Sequence, residues 1–501
     1  MPTNRADSVT NRAAPSDSDT QRAVVAPIFV DLDGTLLHSD VLWESFASAL
    51  RIAPLRLLGA LGGLLLGKGR AYFKAAVAAL GPVDPSTLPY RGELLDWLDQ
   101  RRQEGARIVL ATAADRSIAQ EIAAHVGMFD AVLASDGQNN LKGMAKLAAI
   151  RESSADGQFD YCGNGSEDLP IFAAARQAIV VAAPSTVTTR AAAQGNADLR
   201  FSATRSGRIR MWIRALRPYQ WAKNLLVLVP LITSFHFTDL GDITAALVAM
   251  LAMCLAASSG YLVNDLLDMQ ADRLHPRKRV RPFAAGEIGV AHGFMAAALL
   301  CALALLIAAA VSAALAGWVL FYLFATVTYS LFIKRLAVFD VVTLAGLYTL
   351  RIAAGGSAIG VEVSFWLFAF SAFVFFSLAL VKRCGELVQA RERGEQTASG
   401  RGYQEADLAT LRSLGMGASC ASVLVLALYV QLPEVSERYA TPEFLWGALV
   451  AMLIWLSRLW IDTGRGLMHD DPLVHALRDV TSRWLLVAVG ASFVLAFAVG
   501  R

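Results

Sequence analysis

Cysteine is sparse and unclustered. Cys162, Cys254, Cys301, Cys384 and Cys420 fall into no CxxC and no zinc-like spacing, which excludes a disulfide framework or a cysteine metal cluster as the organising principle. Charge is scarce too. Only 17% of residues are charged and the formal net charge is +3, so bulk electrostatics give no argument for a nucleic-acid partner. The first 26 residues lack an apolar h-region, and their Ser, Thr, Asn and Asp content reads as a disordered tail rather than a signal peptide. What the chain has in excess is apolar: 55% of residues are hydrophobic and the mean hydropathy is +0.46, above the usual soluble range.

That excess lies in one half. Up to about residue 215 the composition is that of a soluble protein; from about residue 224 apolar runs recur, each near the roughly 20 residues a helix needs to cross a bilayer. About nine candidate spans are expected, centred near residues 230, 253, 302, 324, 348, 372, 421, 452 and 492. Alternate intervals between them hold nearly all the basic residues, including "RLHPRKRVRP" and the stretch from Arg465 to Arg483, while the opposite intervals hold only Arg438. The positive-inside rule places the charged loops and the N-terminal half in the cytosol, at the inner membrane. The expected organisation is a tail at 1–26, an α/β domain with a small helical cap at 27–200, a linker at 201–215, and an all-α polytopic membrane domain at 216–501.

In the first half, "VVAPIFVDLDGTLLHSD", "ARIVLATAADRS" and "FDYCGNGSEDLPIF" each run from a β-rich stretch into a polar cluster. Strands separated by helix-period segments imply a parallel sheet, whose ligands bind at the strand carboxyl ends where these clusters fall. Residues from about 40 to 85 read as helical. The run "LRLLGALGGLLLG" is too short to span a bilayer and is bracketed by arginines and a lysine, which leaves a cap over the site or a helix grazing the membrane surface.

The second half carries "NDLLDMQADRLHPRKRVRP" from Asn264. Asp265, Asp268 and Asp272 are spaced i, i+3, i+7, so a continued helix puts all three carboxylates on one face with Asn264 at its edge. Carboxylates that close repel unless a cation intervenes, and hard oxygen ligands suit Mg²⁺, which takes one or two carboxylates plus substrate phosphates. Lys278, Arg279 and Arg281 follow at once with counter-charge for an anion. This is the layout expected for a magnesium-bound diphosphate at a membrane boundary.

With these residues in view, "NDLLDMQADRLHPRKRVRPFAAGEI" resembles the first aspartate-rich motif of the UbiA superfamily of intramembrane prenyltransferases. "LRPYQWAKNLLVLVP" with Lys223, and "YSLFIKRLAVFDVVTLAGLYTLRIAAGG" with Tyr329, Lys334, Asp340 and Arg351, narrow the likeness to the decaprenyl-phosphate phosphoribosyltransferase branch. The family's usual second aspartate motif is missing, and Lys382, Arg383 and Glu386 stand in its place. The resemblance implies transfer of phosphoribose from phosphoribosyl diphosphate to a polyprenyl phosphate, with these residues binding substrate. A substrate with several phosphates calls for cations rather than further acids. The second reading is transfer of a prenyl group from a prenyl diphosphate to an aromatic acceptor.

"DLDGTLLHSD" resembles motif I of the haloacid dehalogenase superfamily. The resemblance implies that Asp31 is a nucleophile forming an aspartyl-phosphate and that Asp33 is the general acid/base. Thr112 in "LATAAD" matches motif II, and Lys142 in "LKGMAK" matches motif III, preferred to Lys146 because a glycine follows it. "CGNGSEDLP" matches motif IV, with Asn164 where the family has an aspartate and Asp168, with Glu167 beside it, completing a Mg²⁺ site. The expectation is a bifunctional membrane enzyme whose first half removes the 5-phosphate from the product of the second, with the alternative that the first half is a separate phosphatase or a regulatory module.

Overall fold

The computed structural model describes residues 26–136, 138–154, 156–201, 207–392, 394, 402–433, 435, 439–468 and 471–498; the predicted tail, save residue 26, and part of the predicted linker lie outside the described residues. The chain forms two compact units, Met1–Leu37 with Tyr90–Thr204 and His38–Pro89 with Arg205–Arg501.

The first unit is built on six parallel strands: β1 (Ile28–Val30), β2 (Ile108–Asp115), β3 (Ala131–Ser135), β4 (Asp160–Gly163), β5 (Gln177–Val181) and β6 (Ala197–Phe201), in the order β3-β2-β1-β4-β5-β6. Runs such as "IFV" and "IVLATAAD" are apolar at nearly every position because helices cover both faces of a parallel sheet. Val30 pairs with Leu110 on one side and Cys162 on the other, so Asp31 emerges at the carboxyl end of β1 beside the end of β4. The strand order reverses direction between β1 and β4, the place where such sheets bind ligands. Below it, Phe29, Phe159, Tyr161 and Phe172 are fully buried, and Phe29 meets Phe159 edge-on with centroids 5.9 Å apart.

Between β1 and β2 the chain forms α1 (Val41–Ile52), α2 (Pro54–Leu65), α3 (Gly69–Leu80) and α4 (Gly92–Gln103); α5 (Arg116–Val126), α6 (Met144–Ser153), α7 (Leu169–Ala174) and α8 (Ser185–Ala192) follow. Helices α1–α3 group with the second unit, so the boundary differs from the one expected at 27–200. The reason is local packing. Ala47 joins a core with Leu262, Leu266, Met269 and Phe283. Trp43 and Phe46 pack on Phe294 at 6.1 and 5.4 Å. The wholly buried Glu44 accepts two hydrogen bonds from Arg273, at 2.6 and 3.1 Å. Arg273 Nε in turn donates to the Ala284 carbonyl at 2.9 Å, so the ion pair has little unsatisfied polarity.

The second unit continues with α9 (Arg208–Leu216), α10 (Val229–Thr233), α11 (Leu240–Leu267), α12 (Met269–Leu274), α13 (Val290–Val311), α14 (Ala313–Leu331), α15 (Phe339–Ala358), α16 (Phe365–Glu392), α17 (Leu408–Val430), α18 (Leu445–Gly464), α19 (Pro472–Arg478) and α20 (Val480–Ala498). Among the described residues eight helices are long and apolar enough to cross a membrane, so the protein is a multi-pass membrane protein. The expected span near residue 230 is the exception. It is a 3₁₀ stretch, Pro218–Leu228, followed by the short α10, because Pro218 and Pro230 each lack the N–H that a continuing helix needs and so start new segments. Small residues let the remaining helices approach: Ala252 and Ala256 of α11 share a core with Ala304 and Ala308 of α13, and Ser259 donates to the Ala297 carbonyl at 2.8 Å.

Candidate active sites

In the first unit Asp31 leaves β1 with its amide bound to the Cys162 carbonyl at 2.9 Å, which ties the candidate nucleophile to the neighbouring strand. The chain then turns sharply at Gly34, whose φ is +73° and whose missing Cβ leaves room for the Asn164 side chain. Thr112 is fully buried, and its hydroxyl accepts from the Ala114 amide at 3.0 Å. Asp168 is fixed from both sides: Tyr161 donates to Oδ1 at 2.7 Å, and the amides of Asn164 and Gly165 donate to Oδ2 at 3.1 and 2.9 Å.

The lysine at this centre is Lys146. Its Nζ lies 2.8 Å from Asp31 and 3.8 Å from Asp168, and the residue is 4% exposed. Lys142, the expected choice, instead pairs with Glu167 at 2.9 Å with both side chains about half exposed, and Glu167 is thereby held below its ordinary range. The correction has a geometric cause. Gly143, at φ +56°, turns the chain into α6, and Lys146 then stands in the first turn facing the sheet. Burial pushes the Asp31 carboxyl up to about 6, with Lys146 opposing and the nearby Asp168 adding to the rise. For Lys146, burial pulls down but Asp31, Asp168 and Asp33 outweigh it, so the ammonium stays charged.

The second unit holds a cavity of about 420 Å³. Asn264, Asp268, Lys278 and Arg281 line it, and so does a cluster in which Lys223 and Lys382 meet Asp471 while Lys223 and Arg351 lie over the Tyr348 ring. Among the described residues, six basic side chains line it (Arg217, Lys223, Lys278, Arg281, Arg351, Lys382) against three acidic ones (Asp268, Glu386, Asp471), an excess of three cations before anything binds. Arg351 sits within α15, where a lone charge would cost about 2.5–3.5 kcal/mol on insertion scales. Here it donates to Asn224 at 2.8 Å and to the Tyr322 hydroxyl at 3.0 Å, with Tyr348 stacked 5.5 Å from the guanidinium.

The three motif aspartates do not present themselves alike. α11 ends at Leu267 and Asp268 is non-helical (φ −95°, ψ 2°), so the expected continuous helix is interrupted at the middle acid. Asp265 is held by Arg217 at 2.5 Å and Arg281 at 3.1 Å, and Asp272 by Arg281 at 2.5 Å; neither lines the cavity. Asp268 does line it, with Lys334 at 2.6 Å behind. Among the described residues no three His, Cys, Asp or Glu side chains converge on one metal-sized point. The residues present still fit Mg²⁺, which binds through one or two carboxylates and fills its shell with phosphate oxygens: Asp268 and Asn264 in the cavity, Asp31 and Asp168 at the sheet.

Of the other expected substrate-binding residues, Tyr329 and Glu386 line the cavity, Arg279 is exposed outside it, and Lys334, Asp340 and Arg383 lie behind the wall. Arg383 is 1% exposed and works as a brace: it donates to Asp340 at 2.5 Å, to Glu386 at 2.6 Å and to the Tyr329 hydroxyl at 2.8 Å. Tyr403 closes that network onto Asp340. Two participants were not singled out from sequence. Arg217 reaches Asp265 from a left-handed backbone position (φ 53°). Asp471 accepts from Lys223 at 2.7 Å and Lys382 at 3.4 Å; burial alone would raise its carboxyl, but the two lysines hold it below the ordinary carboxylate range.

A parallel α/β unit with a buried aspartate at its switch point, joined to a polytopic unit with a cationic cavity, defines a membrane transferase carrying a hydrolase-type domain. Residues 227–466 match the UbiA prenyltransferase family and residues 28–173 match the haloacid dehalogenase-like hydrolases. The uncharacterized protein y4nM of Sinorhizobium fredii is 37% identical over 94% of this chain and 91% of its own. A decaprenyl-phosphate phosphoribosyltransferase of Mycobacterium tuberculosis is 30% identical over 58% of this chain and 94% of its own. A UbiA homologue from Archaeoglobus fulgidus, solved with GPP and Mg²⁺, covers 57% of this chain and 99% of its own at 19% identity, with a TM-score of 0.44. The chain belongs to the UbiA prenyltransferase family, with a haloacid dehalogenase-like domain at its N-terminal end.

Proposed function

We propose that the cavity of the second unit transfers 5-phosphoribose from phosphoribosyl diphosphate to a polyprenyl phosphate, and that the first unit removes the 5-phosphate from the product. The excess of cations lining the cavity is the observation that carries this reading. A phosphoribosyl diphosphate brings a diphosphate and a monoester, and the acceptor brings a further phosphate, so the pair needs more positive charge than a prenyl diphosphate and a neutral ring. The relative from Mycobacterium tuberculosis, 94% of whose length aligns here, bears the name of that activity.

In this account Asp268 and Asn264 would hold Mg²⁺, which supplies charge to the departing diphosphate when bound. Lys278 and Arg281 bind that diphosphate, while Lys223, Lys382 and Arg351 bind the remaining phosphates. Asp265 and Asp272 keep Arg217 and Arg281 in place. The ribose C1–O bond breaks as the lipid phosphate oxygen approaches, and the fixed cations stabilise the charge that develops. At the sheet, Asp31 attacks the 5-phosphate as the P–O bond to the ribose breaks, and Asp33 donates the proton to the leaving alcohol. Water that Asp33 then deprotonates hydrolyses the aspartyl-phosphate to inorganic phosphate, and Lys146 steadies both the nucleophile and the phosphate. Asp31 and Asp168 would hold Mg²⁺, which neutralises the phosphate oxygens, with Asn164 contributing a neutral carbonyl. The sites face the cytosol, where phosphoribosyl diphosphate is found.

Membranes carrying the full chain, supplied with Mg²⁺, polyprenyl phosphate and phosphoribosyl diphosphate labelled in the ribose, test the transfer. Label entering the organic phase is the expected result. No labelled lipid, alongside prenylation of 4-hydroxybenzoate from a prenyl diphosphate, would assign the cavity to the second reading.

A further inference from the structure

Helices α2 and α3 form a hairpin whose inner face is complete. Leu57 of α2 and Val77 of α3 are buried with Ala49 of α1, and Phe73 and Leu80 pack on them. The outer face of α2 is a different matter. Leu55, Leu58, Leu65 and Leu66 are 81, 63, 87 and 84% exposed. Their spacing puts them on one side of the helix, with Gly62 between the pairs. Four leucines so open, three on one short helix and Leu66 at its C-cap, form a surface that water disfavours.

Charge says what covers it. From Ser45 to Val83 the sequence contains no aspartate or glutamate, yet it has five cations, Arg51, Arg56, Lys68, Arg70 and Lys74. Arg56 and Lys68, on and just beyond α2, are exposed. An apolar face flanked by cations without acids is the pattern of a helix lying in the interfacial region of an anionic membrane. Continuity with the membrane-crossing helices supports this. α1, which leads into α2, packs on Phe294 of α13, and the next residue, Met295, opens the outward apolar surface of that span at 59% exposed. Arg51, at the end of α1, reaches the Leu267 carbonyl at the end of α11, another span.

We infer that α2, although inserted in the sequence of the hydrolase domain, lies on the membrane surface, with its leucines among the lipid acyl chains and its cations on anionic headgroups. The partner is the phospholipid bilayer itself. The helix is thereby an attachment to the membrane surface beside the spans.

The test uses the full chain, one copy per nanodisc, with Cys301→Ala and Cys420→Ala, and an NBD fluorophore attached through Leu58→Cys or, independently, Leu55→Cys. Both positions are solvent-open, so neither substitution disturbs packing. Discs contain phosphatidylcholine alone or with phosphatidylglycerol, and lipids brominated on the upper acyl chain serve as quenchers. The expected result is blue-shifted emission quenched by about half or more, stronger with phosphatidylglycerol, that increment being lost with Arg56→Glu and Lys68→Glu together. A probe at Gln120→Cys, exposed on α5, should report water throughout. Water-like emission at both leucine positions would overturn the inference. So would shielding from water without quenching by brominated lipid, which would mean that protein covers the face.

Discussion

The two units solve the problem of gathered carboxylates in opposite ways. At the end of β1, Asp31 and Asp168 both lean on one lysine, and the carboxyl of Asp31 is driven up to about 6 because burial and its neighbour outweigh Lys146. In the membrane unit three cations meet the three motif aspartates: Arg217 holds Asp265, Arg281 is shared between Asp265 and Asp272, and Lys334 holds Asp268. The first arrangement is short of positive charge and calls for a divalent cation before it can receive a phosphate. The second has spent its acids on positioning arginines and lysines, and what faces the cavity is net positive. Acid-rich sequence therefore does not by itself mean a negative site: the sign depends on what the acids are already holding.

Asp31→Asn should separate the activities of the two units most strongly. Loss of a nucleophile should lower phosphate release by about 10³-fold or more, while transfer of labelled ribose to lipid continues. Glu44→Gln comes next. Though it lies in the sequence of the hydrolase domain, it leaves Arg273 buried without its partner, and the membrane unit should lose about 3–5 kcal/mol, read as a lower thermal transition of the full chain in detergent. Asp268→Ala should slow transfer by about 10²–10³-fold and leave monoester hydrolysis unchanged. The finest distinction is between the two lysines. Lys146→Ala should cost phosphate release about 10²-fold, whereas Lys142→Ala, which removes only a half-exposed pair, should change it by less than about twofold. Equal effects would return the role to Lys142.

Much of this architecture is legible in residue order, and the gaps have physical causes. The acid clusters after β1 and β4 can be read because a parallel sheet delivers strand ends to one edge. The membrane helices can be read because their length is set by the bilayer. The choice between Lys142 and Lys146 cannot, since it turns on how Gly143 aims the first turn of α6. The short α10 was signalled by Pro218 and Pro230, although an apolar run masks the signal when hydropathy alone is weighed. Asp340 and Arg383 carry the residue types of a binding site but serve as its brace, and spacing does not distinguish a wall from what stands behind it. Asp471 escapes notice for another reason: one of several acids in a basic interval gains meaning only when Lys223 and Lys382, far away in sequence, close on it. The partner of α1 is likewise invisible until Glu44 meets Arg273 across 229 positions.

The measurement that bears most directly on the two-site account is a double-label experiment on the full chain with polyprenyl phosphate and Mg²⁺, using phosphoribosyl diphosphate labelled in the ribose with one isotope and at the 5-phosphate with another. The native protein should yield lipid carrying the ribose label alone, and Asp31→Asn lipid carrying both labels in equal proportion. Lipid that keeps both labels with the native protein would separate the hydrolase domain from this product, and ribose label that never reaches the lipid would contradict the transfer itself.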